Sequence, residues 1–322
     1  YRIELGAAAP LVRHPTVLQF APDGRLWVVE MTGYMENFDG TTEDQPKGSV
    51  VVLTDTDGDG RMDQRTVFLD NIILPRALIL HRDGALVGAP PHLWFCRDTN
   101  GDGKADEKIE VATDFGVRVD PARPQLANPE RAPNALLWGH DGWLYVGAYT
   151  ARFKFDDGKW VRATSNFRGQ WGLAQDDYGR LYSNNNSDLL RVDVVNSGYL
   201  LRNPALGRTT GLNTKAAAEQ FVWPIRVNPG INRGYRTEML RDCKLKECTA
   251  ACSPWIYRSD LFPADAYGNA FICEPSGNLV KRLVLNPDKG LVKGTPFYDQ
   301  QEFVASTDER FRPVSALTGP EG

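Results

Sequence analysis

Two short acidic loops carry the clearest chemistry in the chain: residues 55–63 read DTDGDGRMD and residues 98–106 read DTNGDGKAD. In the first, Asp55, Asp57 and Asp59 stand at positions 1, 3 and 5, Gly60 at position 6 and Asp63 at position 9. A hard cation such as calcium takes about six to eight oxygen ligands at ~2.3–2.6 Å, and alternate residues of a tight loop aim carboxylates at one centre. The Arg61 carbonyl adds an oxygen, and Gly60 permits the sharp turn. The second loop repeats the pattern with Asp98, Asn100, Asp102, Gly103, the Lys104 carbonyl and Asp106. Position 12 holds Thr66 and Ile109 rather than Glu, which excludes a helix–loop–helix sensor. Asp63 and Asp106 become the closing carboxylates, as in loops that join strands. Carboxylates crowded this closely repel one another without a cation. The expectation is a pair of structural calcium sites, with solvated acidic turns as the alternative.

The elements that hold these loops read as strands. The chain has 322 residues, 42% hydrophobic, with 30 Gly and 21 Pro, which favours many turns over long helices. A turn followed by an alternating strand recurs as APDGRLWVVEM from Ala21, HRDGALVGAP from His81, WGHDGWLYVGA from Trp138, DDYGRLYSNN from Asp176 and DAYGNAFICEP from Asp265. Gly24, Gly84, Gly142, Gly179 and Gly268 supply positive φ at the turns. Hairpin returns follow at Ser49, His92, Arg152, Ser187 and Asn278. The spacing suits propeller blades of ~40–50 residues with loop insertions. The fold expected is an all-β, six-bladed β-propeller in one domain, five blades evident and the sixth cut off at TGPEG. An insertion at about 199–258 caps it, with one short helix at 214–220. An irregular β-sandwich is the alternative.

The segments GRLWVVEM, LPRALIL, LWFCRDTNGDGKADE, RGQWGLAQDDYGRLYSNNNSD, WPIRVNPGINRGY, TAACSPWIYRSD, GNAFICEPSGNLVKR and FVASTDERFRPV cover nearly the whole chain. In these the sequence resembles the propeller domain of membrane-bound dehydrogenases of planctomycetes and verrucomicrobia, and is distantly similar to glucose/sorbosone dehydrogenases. The resemblance implies a six-bladed propeller, export, and in many members a following c-type haem domain. It also implies pyrroloquinoline quinone (PQQ) with calcium, and oxidation of a sugar, alcohol or aldehyde with electrons passed to a c-type cytochrome. The related enzymes share a motif H-x-G-G-x-L-x-F-G-x-D-G-x-L-Y whose His is the general base. Alignment on Leu136, Gly139, Asp141, Gly142, Leu144 and Tyr145 puts Arg131 at the base and Asn134 at the second Gly. An arginine stays protonated and accepts no proton near pH 7.

His140, beside that motif, is the substitute base, although it sits at a turn position. In the insertion, Arg226, Asn228, Asn232 and Arg233 lie close to Trp223 and Tyr235. With Arg131 and Asn134 they are the candidate contacts to a quinone or sugar, since guanidinium forks, amides and aromatic faces suit either. The alternative is a capping loop whose Arg and Asn satisfy backbone groups. NNNSD from Asn184 and STDERFRP from Ser306 are further polar clusters, and Glu130, Asp176 and Asp177 are further acids, with turn capping as their other reading.

No nucleophile elbow, phosphate-binding Gly loop or metalloprotease motif supports hydrolysis. With net charge −4 and scattered basic residues, nothing suggests nucleic acid, and no apolar run reaches the ~18–20 residues of a membrane span. The five cysteines form no C-x-x-C, and CKLKECTAAC (Cys243, Cys248, Cys252) suggests one local disulfide in an exported chain. The chain opens at Tyr1 as a trimmed chain does, and weak calcium loops suit an extracytoplasmic setting. Two functions are expected as rivals: a periplasmic quinoprotein-type dehydrogenase, or a non-catalytic, calcium-stabilised propeller that binds carbohydrate or a protein partner.

Overall fold

The computed structural model describes residues 2–116, 132–203, 205, 211–228 and 236–322. The chain forms two compact units, Tyr1–Ala135 and Leu136–Gly322. Among the described residues no helix is long and apolar enough to cross a membrane.

The first unit holds two four-stranded antiparallel meanders. One runs β1 (Pro15–Phe20), β2 (Leu26–Glu30), β3 (Gly48–Thr54), β4 (Gln64–Ile72). The next runs β5 (Ala77–His81), β6 (Gly84–Ala89), β7 (His92–Arg97), β8 (Glu107–Ala112). Their inner strands are Val- and Leu-rich and buried on both faces, as strands sandwiched between sheets must be. Val29, Val50, Val52, Leu78, Val87 and Cys96 form one continuous core between the two sheets. Each such buried side chain contributes roughly 1.5–3 kcal/mol.

The second unit holds three more meanders. The third sheet is β9 (Asn134–Trp138), β10 (Leu144–Gly147), β11 (Ala151–Asp156), β12 (Lys159–Thr164). The fourth is β13 (Ala174–Gln175), β14 (Leu181–Asn185), β15 (Asp188–Asp193), β16 (Thr214–Lys215), with a single-turn helix α1 (Ser197–Leu200) between its last strands. A small hairpin, β17 (Leu240–Arg241) with β18 (Lys244–Leu245), precedes the fifth sheet. That sheet is β19 (Cys252–Ile256), β20 (Ala270–Glu274), β21 (Leu279–Asp288), β22 (Leu291–Pro296), and β23 (Val304–Ala305) joins it on β21. Tyr182, Leu189, Val192, Ile272 and Leu283 belong to the core shared by the fourth and fifth sheets. The outer strands of the fifth sheet have neighbours. Ala217 bridges Gly294 of β22, and the Ser253 N–H of β19 donates to Trp171 O (2.8 Å). Side chains of β19 also hold the segment 314–318, through Ser253 Oγ to Val314 O (2.7 Å) and Trp255 Nε1 to Thr318 Oγ1 (3.0 Å).

Each turn–strand unit read from the sequence opens one of these sheets. Gly24, Gly142, Gly179 and Gly268 have φ between 74° and 86°. Gly84 differs, because its hairpin is a two-residue turn in which Arg82 carries the positive φ (52°). Gly84 is needed for closeness instead, since a Cβ there would stand 2.3 Å from the Cys96 carbonyl oxygen. The helix expected at 214–220 is also corrected: Thr214–Lys215 is the fourth strand of its sheet, and Ala216 and Ala217 are buried. Strand pairing and burial of these small side chains outweigh alanine's helix propensity. The expected capping stretch thus contains β16 and β19, leaving about 216–251 as the connection between sheets.

Gly172 sits where the run into β13 touches β19, with φ +95° and a virtual Cβ only 2.4 Å from Ser253 Cα. Gly172→Ala should therefore lower stability by roughly 1–3 kcal/mol in urea or thermal unfolding. A stability equal to wild type would show that this contact is not tight.

Candidate functional site

In a four-stranded antiparallel meander the first and third connections share one end and the second and fourth share the other. The Gly turns and the acidic loops are first and third connections. The second and fourth connections gather many of the buried polar side chains: Glu30, Arg76, Arg168, Asn184, Glu274 and Asn278 all lie there. Each sheet therefore has a turn end and a polar end. Burial at the polar end of the second sheet holds the Arg76 guanidinium down to about 10.

The acidic loops have one hydrogen-bond pattern in duplicate. Asp55 accepts the Gly58 and Gly60 N–H groups (2.7 and 2.9 Å), and Asp98 accepts those of Gly101 and Gly103 (2.7 and 2.8 Å). Asp63 accepts the Thr56 hydroxyl (2.7 Å) and Asp106 the Thr99 hydroxyl (2.9 Å). Ligand atoms of Asp55, Asp57 and Asp63 come within 4.8 Å of one another, so these three could share an ion. The N–H of Gly60 holds Asp55 below the usual carboxylate range, and that of Gly103 does the same for Asp98. Both groups are thus ionised and aimed inward at neutral pH. The second loop also docks on the first sheet: the Ala105 N–H donates to Phe68 O of β4 (2.7 Å).

The richest polar end belongs to the fifth sheet, at the turn Pro275–Asn278 between β20 and β21. Glu274 is fully buried and accepts the N–H groups of Thr249 (3.0 Å), Ala250 (2.8 Å) and Gly277 (2.5 Å). Burial pushes its carboxyl up, opposed by those three donors. Asn278 Oδ1 accepts from Arg226 (3.3 Å) and Asn228 (3.4 Å), while its Nδ2 donates to the carbonyls of Glu309 (3.2 Å) and Phe311 (2.9 Å). Arg226 also reaches the Glu309 carboxylate (3.4 Å), and Arg312 donates to the Glu309 and Pro275 carbonyls (both 2.9 Å). Below this, Lys281 and Glu302 form a buried pair at 3.0 Å, and Glu302 accepts the Trp223 N–H (2.9 Å). Elsewhere in the unit Arg168 and Asp193 pair at 2.9 Å, both buried. The cluster offers the exposed Arg312 and Glu309, with the partly buried Arg226 beside them, over a fixed base of amides.

The sequence model of a family described as a domain of unknown function, DUF7133, matches residues 1–322. The chain belongs to that family. No curated protein matches this DUF7133 chain. Among solved structures it is similar to the holo form of the pyranose dehydrogenase PQQ domain from Coprinopsis cinerea, at 10% identity, TM-score 0.50, covering 94% of this chain and 87% of that one. It is also similar to an oxidoreductase described as a glucose dehydrogenase from Thermus thermophilus (14% identity, TM-score 0.47, 97% and 89% covered). A further likeness is to the calcium-binding protein regucalcin from Agrobacterium tumefaciens (12% identity, TM-score 0.46, 88% and 72% covered). At these identities the likeness speaks for fold alone, and the fold is that of a β-propeller, whose blades are the four-stranded meanders.

The structure sorts the expected site residues of this DUF7133 chain. Arg131, Asn232 and Arg233, with Glu130, lie outside the described residues. Arg226 joins the polar cluster with its side chain 19% exposed. Asn228 is buried, donating to Ser276 O (3.2 Å) and accepting the Leu245 N–H (2.9 Å), so its amide fastens the connection in the way a capping loop requires. Asn134 is buried and donates to Ala132 O (3.1 Å). His140 is exposed in the β9–β10 turn, beside Gly179 of the β13–β14 turn, at the turn end. Asp176 is buried and accepts the N–H groups of Tyr178 and Arg180 (both 3.0 Å), capping its own turn. Asp177 accepts the Tyr267 hydroxyl (2.7 Å). Glu274 and Asn278 went unread in the sequence, although a Glu and an Asn flanking Pro-Ser-Gly between two apolar strands was a usable signal.

Scaffold and surface roles should separate on mutation. Glu274→Ala leaves the buried N–H groups of Thr249 and Gly277 and the partly buried one of Ala250 without their acceptor and should cost about 3 kcal/mol. Arg226→Ala removes a side chain that is 19% exposed and bonds both Asn278 and the exposed Glu309, and it should cost about 1 kcal/mol, well below the Glu274 variant. Denaturant unfolding of both variants checks this, and equal losses would contradict the division.

Proposed function

We propose that this DUF7133 domain is a calcium-stabilised β-propeller that binds a small polyhydroxylated molecule, a sugar or related alcohol, at the polar end of its fifth sheet. The observation that carries the reading is the group of exposed Glu309 and Arg312 with the partly buried Arg226, held over the Pro275–Asn278 turn. Guanidinium forks donate in pairs and a carboxylate accepts in pairs, which matches adjacent hydroxyl groups. Calcium binding rests on the duplicated loops, where Asp55, Asp57, Asp59, the Arg61 carbonyl and Asp63 are the donors of one site. Asp98, Asn100, Asp102, the Lys104 carbonyl and Asp106 are those of the other. Such an ion ties the third connection of each sheet and takes no part in chemistry at the polar end of that sheet. An extracytoplasmic compartment, where calcium is plentiful, suits this reading.

The second reading is oxidation of that ligand by PQQ, with electrons passed to a c-type haem partner. What favours it is the DGWLY hairpin, Asp141 to Tyr145, which keeps part of the quinoprotein motif. The carboxylates of PQQ would find cations in Arg226 and Arg312. The histidine base of the quinoprotein motif has no counterpart in this cluster: among the described residues of the second unit the one histidine, His140, lies at the turn end of its sheet. A base at the polar end would have to be a carboxylate such as Glu309, and binding without oxidation is the reading preferred.

Two measurements follow. Calorimetric titration with a panel of monosaccharides and polyols should find a ligand whose affinity drops at least ~10-fold in Arg226→Ala and in Arg312→Ala, since each removes a charged hydrogen-bond donor. Affinity unchanged in both variants would move the ligand elsewhere, and dye reduction with added calcium, PQQ and sugar would favour the oxidative reading. For the loops, a calcium chelator should lower the Tm of the wild-type chain and leave an Asp63→Asn/Asp106→Asn variant little changed. An unaltered wild-type melting curve in excess chelator would sink both sites.

A further inference from the structure

The fifth sheet sets two cysteines face to face. In the pairing of β19 with β20, Cys252 stands directly opposite Cys273, and the two are 7% and 1% exposed. Directly opposed residues of an antiparallel pair lie ~4.5–5.5 Å apart at Cα, and their side chains share a face. The register shifts between Cys252 and Trp255, so the cysteine pair closes the ladder beyond that irregularity. A disulfide spans Cα separations of ~4.4–6.8 Å, which covers this range. The Cys252 thiol also meets Pro313 O at 3.8 Å.

We propose that Cys252 and Cys273 form a cross-strand disulfide when the protein folds in an oxidising compartment. The remaining cysteines have other settings. Cys243 is exposed, Cys96 is buried in the first unit, and Cys248 is buried with its thiol donating to Gln220 Oε1 (3.6 Å). Among the described residues the group of three or more possible metal ligands is Asp55, Asp57 and Asp63, and it includes neither cysteine. In place of the local bridge expected within CKLKECTAAC, the proposal pairs Cys252 with a cysteine 21 residues away in the next strand.

The oxidant is another disulfide, of the small-molecule or thiol–disulfide exchange protein class. One cysteine thiolate attacks it, breaking its S–S bond, forming a mixed disulfide and releasing one thiol. The second cysteine thiolate then attacks the protein sulfur of that mixed bond and releases the other thiol. Two protein S–H bonds are replaced by one S–S bond, and the reduced oxidant carries away both protons and both electrons. Burial pushes both thiols up, Cys273 to about 12, so the folded pair is inert as a nucleophile. The exchange therefore precedes the closing of β19 onto β20. The bridge fixes the start of β19 beside Glu274, which already holds Thr249 and Ala250, and stands apart from the ligand reading.

The test is alkylation with iodoacetamide in denaturant, without reductant, followed by mass measurement of the whole chain and of its digest. Protein exported to an oxidising compartment should take up three alkyl groups on its five cysteines and yield one peptide pair joined through Cys252 and Cys273. The same chain made in a reducing cytosol should take up five. Five alkyl groups on the exported protein, or a bridge joining Cys252 to Cys243 or Cys248, overturns the proposal. A reductant should also lower the Tm of the exported wild type and leave that of a Cys252→Ala/Cys273→Ala variant unmoved. An equal fall in both would assign the effect to something other than this bridge.

Discussion

A meander of four antiparallel strands allows only two places for its connections, and this constraint governs the rest of the molecule. Connections one and three lie at one end of each sheet, and connections two and four at the other. Length does not separate the two kinds: the third connection of the fourth sheet runs from 194 to 213 and carries α1, while the second connection of the second sheet is Pro90–Pro91. Chemistry separates them. The Asp–Gly turns and duplicated acidic loops occupy the first end, and Glu30, Arg76, Arg168, Asn184, Glu274 and Asn278 gather at the second.

Buried polar groups at the second and fourth connections solve a backbone problem. A connection that crosses a sheet end without secondary structure exposes N–H and C=O groups that must find partners. Glu274 meets three such N–H groups at once, and Asn278 ties two tail carbonyls to the side chains of Arg226 and Asn228. The ligand-facing charges of Arg226 and Arg312 are thereby held by a rigid base. Structure and recognition are carried by different residues within one cluster.

Most strands were legible in the sequence because their alternation and their Gly turns are local signals. The turn at His81 shows the limit: the Gly was visible, but its role as a close-contact residue depends on the facing carbonyl of Cys96, which no local pattern reveals. The alanines after Lys215 misled in the same way, since propensity favoured a helix and the neighbouring sheet required small buried side chains. The acidic loops could be read ligand by ligand because all their donors lie within nine residues. The polar cluster could not. It joins residues as far apart as Arg226 and Glu309, 83 positions in sequence, through a turn whose Glu and Asn look ordinary alone.

The covered edges of the fifth sheet bear on how the protein behaves at high concentration. An edge strand with free N–H and C=O groups is a template on which another chain can lay a strand. Here Ala217 bridges β22 and Trp171 meets the Ser253 N–H of β19. The run into β13 and the segment after β16 thus act as guards against intermolecular strand addition, and loosening either one would leave a folded sheet with an adhesive rim.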